Sequence, residues 1–255
     1  MLTFVGAGLY DEKDITLKGM EAIKEADIVY AEFYTSRLMG TTIEKIEDAY
    51  KKKIILLERE DIEVDPDPLL REAKSSNVVL LTGGDPMIAT THIDLRLRAF
   101  DAGIKTTVVH APSIFSAALG LCGLQNYRFG KSATIAPPYK DRPSEVPYDT
   151  IKMNSFNELH TLLYLDIPMT INRACEILLI LEDKRGEGLF NERMIVGIAR
   201  AGSKKPTIKA DYIERIKEYD FGPPLHIMIA TGKLHFMENE ALLKFAGAPV
   251  EIMKE

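Results

Sequence analysis

The sequence has few cysteines and no long apolar run. Its two cysteines, Cys122 and Cys175, are far apart and neither belongs to a C-x-x-C pair. We therefore expect two buried or half-buried thiols in a reducing compartment. No apolar run approaches the ~18 residues that a membrane span requires, and Met1 leads directly into a strand pattern without a basic leader or cleavage site. These absences predict a cytoplasmic protein with no membrane partner.

The chain also lacks a basic excess and the common motifs of phosphate, metal and nucleophile chemistry. Its net charge is −6, so we expect no direct binding of nucleic acid, which needs basic groups to neutralise phosphates. No P-loop, H-E-x-x-H, G-x-S-x-G or zinc-spaced Cys/His group occurs. The five histidines are scattered, and each alone favours a structural role. The sequence therefore predicts no metal site and assigns no catalytic residue.

What is present is an alternation of short apolar runs with amphipathic stretches. In the first half this pattern predicts a parallel sheet with helices on both faces, and Asp14 or Thr16 can cap its first helix. A second α/β-like set follows. The predicted strands are 2–5, 28–30, 54–57, 78–81 and 106–109, then 162–165, 194–199 and 226–229, with second-half helices near 170–182 and 210–218.

The segment FVGAGLYDEKDIT, residues 4–16, places Gly6 and Gly8 after the first predicted strand. A dinucleotide fingerprint would need a third glycine where this chain has Asp11. Together with Glu12 and Asp14, that carboxylate would repel a pyrophosphate, which seeks bare backbone N–H groups. We interpret the turn as a site of close approach by a ligand other than a phosphate.

The segment TGGDPMIATTH, residues 82–92, follows the fourth predicted strand. Gly83 and Gly84 remove side-chain bulk, so a ligand could touch the backbone there. Asp85 and Pro86 then fix a turn and would present a carboxylate to a pocket. The alternative is a tight turn with a surface aspartate. Ligands of parallel sheets lie beyond the carboxyl ends of the strands. Both segments therefore predict a ligand site at the same edge of the sheet.

These two segments together resemble the paired signature of the tetrapyrrole-methylase superfamily of S-adenosylmethionine (SAM) methyltransferases. That family opens with G-x-G-x-G-D-x-x-x-x-T and carries a G-D-P loop after its fourth strand. The chain departs from the first motif at Tyr10, where the family usually has glycine. The chain shares this departure with one branch of the family, and it also resembles that branch in the segments YAEFYTS, HAPSIFSA, FGKSAT and LHTLLYLDI, which occur in the same order. That branch modifies a histidine of translation elongation factor 2.

The resemblance implies an α/β, two-domain tetrapyrrole-methylase-like fold and a homodimer. It implies an N-terminal domain at 1–112 and a second, smaller α/β domain at 113–255, with SAM in the cleft between them. Composition alone would make the proline-rich segment 137–149 a linker, whereas the resemblance makes it a loop of the second domain. The implied SAM contacts are Leu9, Asp85, Ile88, Ser113, Ile114, Leu165, Ala201 and His226.

The implied reaction transfers methyl groups from SAM to the amino group of a 3-amino-3-carboxypropyl histidine on elongation factor 2, leaving S-adenosylhomocysteine. Three transfers are expected, and no motif decides whether the carboxylate is also esterified. Two alternatives stay open. One is a tetrapyrrole or corrinoid methyltransferase of the same fold, and the other is a nucleotide-binding module without methylation activity.

Overall fold

A computed structural model describes residues 1–254 and divides the chain into two compact units, Met1–Ile114 and Phe115–Glu255. The second unit contains more residues than the first, which corrects the prediction that it is the smaller. No helix among the described residues combines the length and apolar character that a membrane crossing needs. Both cysteines are buried as predicted, and burial raises the pKa of the Cys122 and Cys175 thiols to about 12.

The first unit alternates strands and helices along the chain. Its elements are β1 (Leu2–Gly6), α1 (Leu17–Glu25), β2 (Ile28–Glu32), α2 (Ile43–Tyr50), β3 (Ile55–Leu56), a π-helical turn (Glu60–Val64), α3 (Asp67–Ser75), β4 (Val78–Thr82), α4 (His92–Asp101) and β5 (Thr106–Val109). The strands form one sheet in the order β3-β2-β4-β1-β5, and every pairing is parallel. The predicted parallel sheet is confirmed.

Helices cover both faces of this sheet because successive strand side chains point in opposite directions. Phe4 and Leu80 pack in one buried cluster with residues of α3 and α4. Val5 and Leu81 pack in a second cluster with residues of α1 and α2. The strands are therefore apolar at consecutive positions, which is the pattern of a sheet buried on both sides. Thr16 rather than Asp14 caps α1, where its side chain accepts the Gly19 N–H.

Helix α5 (Ile114–Cys122) begins where the first unit ends, and a mixed sheet follows in the second unit. The remaining elements are a 3-10 turn (Asn126–Arg128), β6 (Ala133–Ile135), α6 (Val146–Phe156), β7 (Thr161–Leu165), α7 (Ile171–Arg185), β8 (Met194–Ala199), β9 (Thr207–Tyr212), α8 (Ile213–Glu218), β10 (His226–Ala230), α9 (Phe236–Phe245) and a 3-10 turn (Val250–Lys254). The strand order is β6-β7-β10-β8-β9, and β6–β7 is its parallel pair.

One face of this second sheet packs against α6, α7 and α8 in a single apolar cluster. Strand β6 is not among the predicted strands, and two further segments differ from the sequence prediction. Residues 207–212 form β9, so the predicted helix 210–218 is correct only from Ile213 onwards. The proline-rich segment 137–149 lies inside the second unit instead of linking the units, and its last residues begin α6 with Pro147 in the first turn.

Candidate functional site

The loops after β1 and β4 touch at the carboxyl edge of the first sheet. Gly8 and Gly84 exchange backbone hydrogen bonds, with N···O distances of 3.3 Å and 2.6 Å. A Cβ atom on Gly6 would lie 2.5 Å from the carbonyl oxygen of Gly84 and 2.6 Å from the Cβ of Ala111, in the loop after β5. The close approach of three loops therefore requires glycine here, and it brings the two sequence motifs together.

Asp14 occupies the backbone donors of the first loop. Its carboxylate accepts the N–H of Leu9 at 3.1 Å and of Tyr10 at 2.7 Å. In a phosphate-binding turn such N–H groups would point towards the ligand. Because an internal carboxylate already takes them, the loop has neither the donors nor the charge for a pyrophosphate.

Tyr10, which stands where the family pattern has glycine, packs over Gly40. The N–H of Gly40 donates to the carbonyl of Tyr10 at 2.8 Å. A Cβ atom on Gly40 would lie 2.3 Å from the Tyr10 ring. The substitution in the first motif therefore joins the loop after β1 to the segment after β2.

Asp85 links the loops that follow β4 and β5. It is only 6% exposed, and one carboxylate oxygen accepts the Met87 N–H at 2.9 Å. The other oxygen lies 2.8 Å from Nδ1 of His110 and 3.3 Å from the N–H of Ala111. The sequence predicts that this carboxylate faces a pocket; in the structure it bonds to the loop after β5 and links that loop to the loop after β4.

The other first-unit candidates lie on the same three loops or directly after them. Leu9 is half-buried beside the Gly8–Gly84 contact, and Ile88 is 38% exposed in the turn after Asp85. Ser113 and Ile114 are half-buried where α5 begins. The structure thus places five of the eight predicted contacts at one edge of the first sheet, four of them on loops and Ile114 at the start of α5.

Glu32 and His92, which are not among the predicted site residues, form a fully buried pair at this edge. Glu32 accepts the N–H of Thr35 at 3.1 Å and its hydroxyl at 2.5 Å. Nδ1 of His92 lies 3.0 Å from the carbonyl of Pro86, which can only accept, so Nδ1 carries a proton. Nε2 lies 3.5 Å from a Glu32 carboxylate oxygen. Within residues 1–254, this Nε2 is among the buried side-chain atoms without a hydrogen-bond partner.

The same edge also holds two hydroxyl groups, those of Tyr34 and Thr82. Within residues 1–254, the Thr82 hydroxyl is among the buried side-chain atoms without a hydrogen-bond partner. Burial, reinforced by the negative charges of Glu32 and Glu63, raises the pKa of Tyr34. An acid at the end of a predicted strand, here Glu32, is the signal by which sequence reasoning could have found this cluster.

The three second-unit candidates lie at one edge of the second sheet. His226 is the first residue of β10 and pairs with Ala199 at the end of β8, two residues before Ala201. The β7–β10 register, in which Leu163 pairs with Met228, brings Leu165 to the same edge. Leu165 and Ala201 are half-buried, and His226 is buried.

The His226 ring is held by backbone groups on both nitrogens. Nδ1 lies 3.2 Å from the N–H of Ile171, at the start of α7, and therefore accepts. Nε2 lies 3.1 Å from the carbonyl of Gly222 and therefore donates. Burial lowers the pKa of His226, and the charge of Arg200 adds to this effect, which outweighs the hydrogen bonds to Gly222 and Pro223. The ring is thus neutral and fixes the loop before β10.

Comparison with known proteins identifies the family. A family model described as "Tetrapyrrole (Corrin/Porphyrin) Methylases" matches residues 1–211. The chain belongs to the tetrapyrrole methylase family. This membership confirms the resemblance and the predicted fold class.

Individual members of the tetrapyrrole methylase family match the chain over nearly its full length. The diphthine synthase of Methanosarcina barkeri is 60% identical over 100% of this chain and 99% of its own. That of Methanocella arvoryzae is 59% identical over 97% and 98%. A solved structure of diphthine synthase superposes with a TM-score of 0.92 at 48% identity, over 99% of this chain and 98% of its own.

At this similarity the chain is a methyltransferase of the tetrapyrrole methylase family. The alternative of a nucleotide-binding module without methylation activity is therefore wrong. The carboxylate of Asp14 in the first loop gives a physical reason, because it occupies the donors that a nucleotide phosphate would need.

Proposed function

We propose that the chain transfers methyl groups from SAM to the amino group of the 3-amino-3-carboxypropyl histidine on translation elongation factor 2, a step of diphthamide biosynthesis. The observation that carries this proposal is the 60% identity to a diphthine synthase over the whole chain. We propose three transfers to the amine, and the cytoplasm as their place because the substrate is a translation factor.

The residues at the first-sheet edge fit SAM better than a phosphorylated ligand. SAM carries a cationic sulfonium and no phosphate, and Asp14 has already taken the N–H donors of the first loop. We propose that Leu9, Ile88 and Ile114 contact the adenine and methionine portions, as expected of a mostly apolar cofactor pocket. Asp85 would act by holding the β4 and β5 loops, and Ser113 would contribute polar contacts.

In the second unit we propose contacts from Leu165, Ala201 and His226. Both ring nitrogens of His226 are engaged by Ile171 and Gly222. Its contribution would therefore come from its backbone or ring carbons. We propose a domain division at 1–112 and 113–255, with SAM contacts drawn from both domains.

Bound SAM would supply an electrophilic methyl group, so the protein's main tasks are alignment and exclusion of water. The acceptor amine must also lose a proton before it can attack, since an α-amino group has a pKa of ~8. The chain's own contribution is then to fix the loops that hold the cofactor and to provide a route for that proton.

The test uses methyl-labelled SAM, the purified chain and elongation factor 2 that bears the unmethylated aminocarboxypropyl histidine. Unmodified elongation factor 2 is the control, and mass spectrometry of the histidine peptide counts methyl groups. We expect three on the arm's amine and none on the control. SAM binding without any label on elongation factor 2 would contradict the proposal and direct the search to tetrapyrrole acceptors, the second substrate class of this family.

We further propose that the enzyme is a homodimer. Light scattering should then return about 57 kDa, twice the 28.6 kDa of one chain. A mass near 28.6 kDa would contradict the dimer without affecting the proposed reaction.

A further inference from the structure

We propose that His110 is the base that removes the proton from the acceptor amine, and that Asp85 positions it. This inference rests on the proposed function and deepens it by naming the group that makes the nucleophile. It is carried by the geometry of a buried carboxylate bonded to an exposed imidazole at the edge where the predicted cofactor contacts lie.

The pair has the arrangement that makes a histidine a general base. Nδ1 of His110 lies 2.8 Å from Oδ2 of Asp85. Asp85 is 6% exposed, whereas the His110 side chain is 70% exposed. Because the carboxylate accepts, Nδ1 donates, so the neutral tautomer of this ring carries its lone pair on Nε2. The carboxylate also stabilises the ring once Nε2 has taken a proton.

Asp85 is itself fixed, so the ring is held by a rigid partner. Its second oxygen accepts the N–H of Met87 at 2.9 Å, and Oδ2 also lies 3.3 Å from the N–H of Ala111. His110 directly follows β5 and precedes the predicted contacts Ser113 and Ile114 by three and four residues. His110 therefore lies in the same loop as the predicted cofactor contact Ser113.

The proton balance of the proposed reaction requires repeated use of such a base. The ammonium gives its proton to Nε2, and the freed lone pair forms the N–C bond while the C–S bond breaks and its electrons stay on sulfur. Converting R–NH3+ to R–N(CH3)3+ with three SAM releases three S-adenosylhomocysteine and three protons. Each proton must leave the imidazolium before the next transfer, and the exposure of His110 lets water accept it.

Within residues 1–254 the other four histidines have different surroundings. His92 and His160 are fully buried next to carboxylates. Both ring nitrogens of His226 bond to backbone groups. His235 caps α9, where its Nδ1 accepts the Met237 N–H at 3.3 Å. His110 combines a carboxylate on Nδ1 with an exposed side chain.

The decisive variant is His110→Asn. Its amide N–H can take the place of Nδ1–H and keep the bond to Asp85, while Nε2 is removed. We expect kcat at pH 7 to fall about 100-fold, the lower end for general base catalysis because water can also take the proton. SAM affinity by calorimetry should stay within twofold. The deficit should shrink towards pH 9, where more of the amine is already unprotonated.

Two further variants separate chemistry from structure. His110→Ala should regain activity when imidazole is added, since the free base can enter the space that the side chain leaves. His235→Asn is the matched control, because asparagine is also a good helix N-cap, and its rate and pH profile should equal those of the wild type.

The outcomes distinguish this inference from the proposed function. If the wild type places no methyl group on elongation factor 2, the proposed function fails. If the wild type methylates it and His110→Asn is equally fast at pH 7, the base is not His110. Reduced SAM affinity in His110→Asn, together with no imidazole rescue of His110→Ala, would assign His110 a structural role and overturn the inference.

Discussion

At the scale of single residues, Gly8 is subject to two restraints that can be measured separately. Its φ is +82°, and a Cβ atom would lie 2.2 Å from Cβ of Asp14. Gly103 has φ +71° with no atom within 4 Å of the added Cβ. Gly103→Ala should cost about 1–2 kcal/mol for the left-handed backbone alone. Gly8→Ala should cost about 3 kcal/mol or more, because overpacking adds to that strain.

Urea unfolding of the two variants measures this difference. Gly103→Ala is the control for backbone strain in the same unit. Equal losses of unfolding free energy would show that Asp14 moves aside, and that the loop after β1 is looser than the contacts indicate.

His226 predicts a pH dependence of stability. Burial lowers its pKa in the folded chain, so the unfolded chain binds the proton more readily. The free energy of unfolding should therefore be constant above about pH 7 and fall as the pH drops below ~6.5. His226→Gln should cost about 1–3 kcal/mol at pH 8, because the N–H of Ile171 loses its acceptor. Urea unfolding from pH 5 to 8 should show that the difference in unfolding free energy between the wild type and His226→Gln becomes smaller at low pH. A difference that stays constant would contradict this prediction.

Residue types and their spacing were readable from the sequence, but side-chain directions were not. The glycine motifs after β1 and β4 correctly indicated close backbone contact, since Gly8 and Gly84 bond to each other. The direction of the Asp85 side chain is an example of what the sequence could not predict. Its neighbour His110 is 25 residues away in sequence, and only the pairing of β1 with both β4 and β5 brings their loops together.

At the scale of elements, the buried parallel strands were predicted well because they are apolar on both faces. The edge strands of the second sheet, β6 and β9, were not predicted. In β9, Lys209 and Asp211 break the apolar pattern, and the strand pairs with β8 alone. Its sequence runs without a turn signal into α8, so the two elements look like one helix. Pro147 contributed to the composition that favours a linker at 137–149, yet it lies in α6, because proline is tolerated in the first turn of a helix.

Helix α9 begins at a buried carboxylate whose contribution can be tested. Glu238 is fully buried and accepts from Gln125 N–H at 2.9 Å and from His235 N–H at 2.9 Å. Nε2 of His160 is 3.1 Å away and donates, because its Nδ1 accepts the Gly232 N–H. Burial would raise the pKa of Glu238, but the hydrogen bonds from His160, His235 and Gln125 outweigh it and lower the pKa.

Glu238→Gln should therefore cost about 3 kcal/mol, because a glutamine amide would turn a donor towards N–H groups that need an acceptor. The matched control on the same helix is Glu240→Gln. Glu240 pairs with Lys244 at the surface, so its substitution should lower the free energy of unfolding much less than Glu238→Gln does. Chemical denaturation measures both, and similar losses would mean that Glu238 is not a structural anchor.

At the scale of the whole molecule, each unit has its own five-stranded sheet and its own apolar core. Chains of this kind often depart from two-state unfolding. We therefore expect two transitions in scanning calorimetry, with Gly8→Ala lowering one midpoint and Glu238→Gln the other. A loss of ~3 kcal/mol should shift a midpoint by roughly 10 °C for units of this size.

The double variant makes this test sharper. If the units unfold independently, the double variant Gly8→Ala/Glu238→Gln should show two transitions. The first-unit midpoint should equal that of Gly8→Ala alone, and the second-unit midpoint should equal that of Glu238→Gln alone. If the chain unfolds as one cooperative body, a single peak should move with either variant and furthest with both. The second result would contradict independent unfolding of the units. It would mean that the stability of the loop after β1 and that of the cap of α9 are coupled.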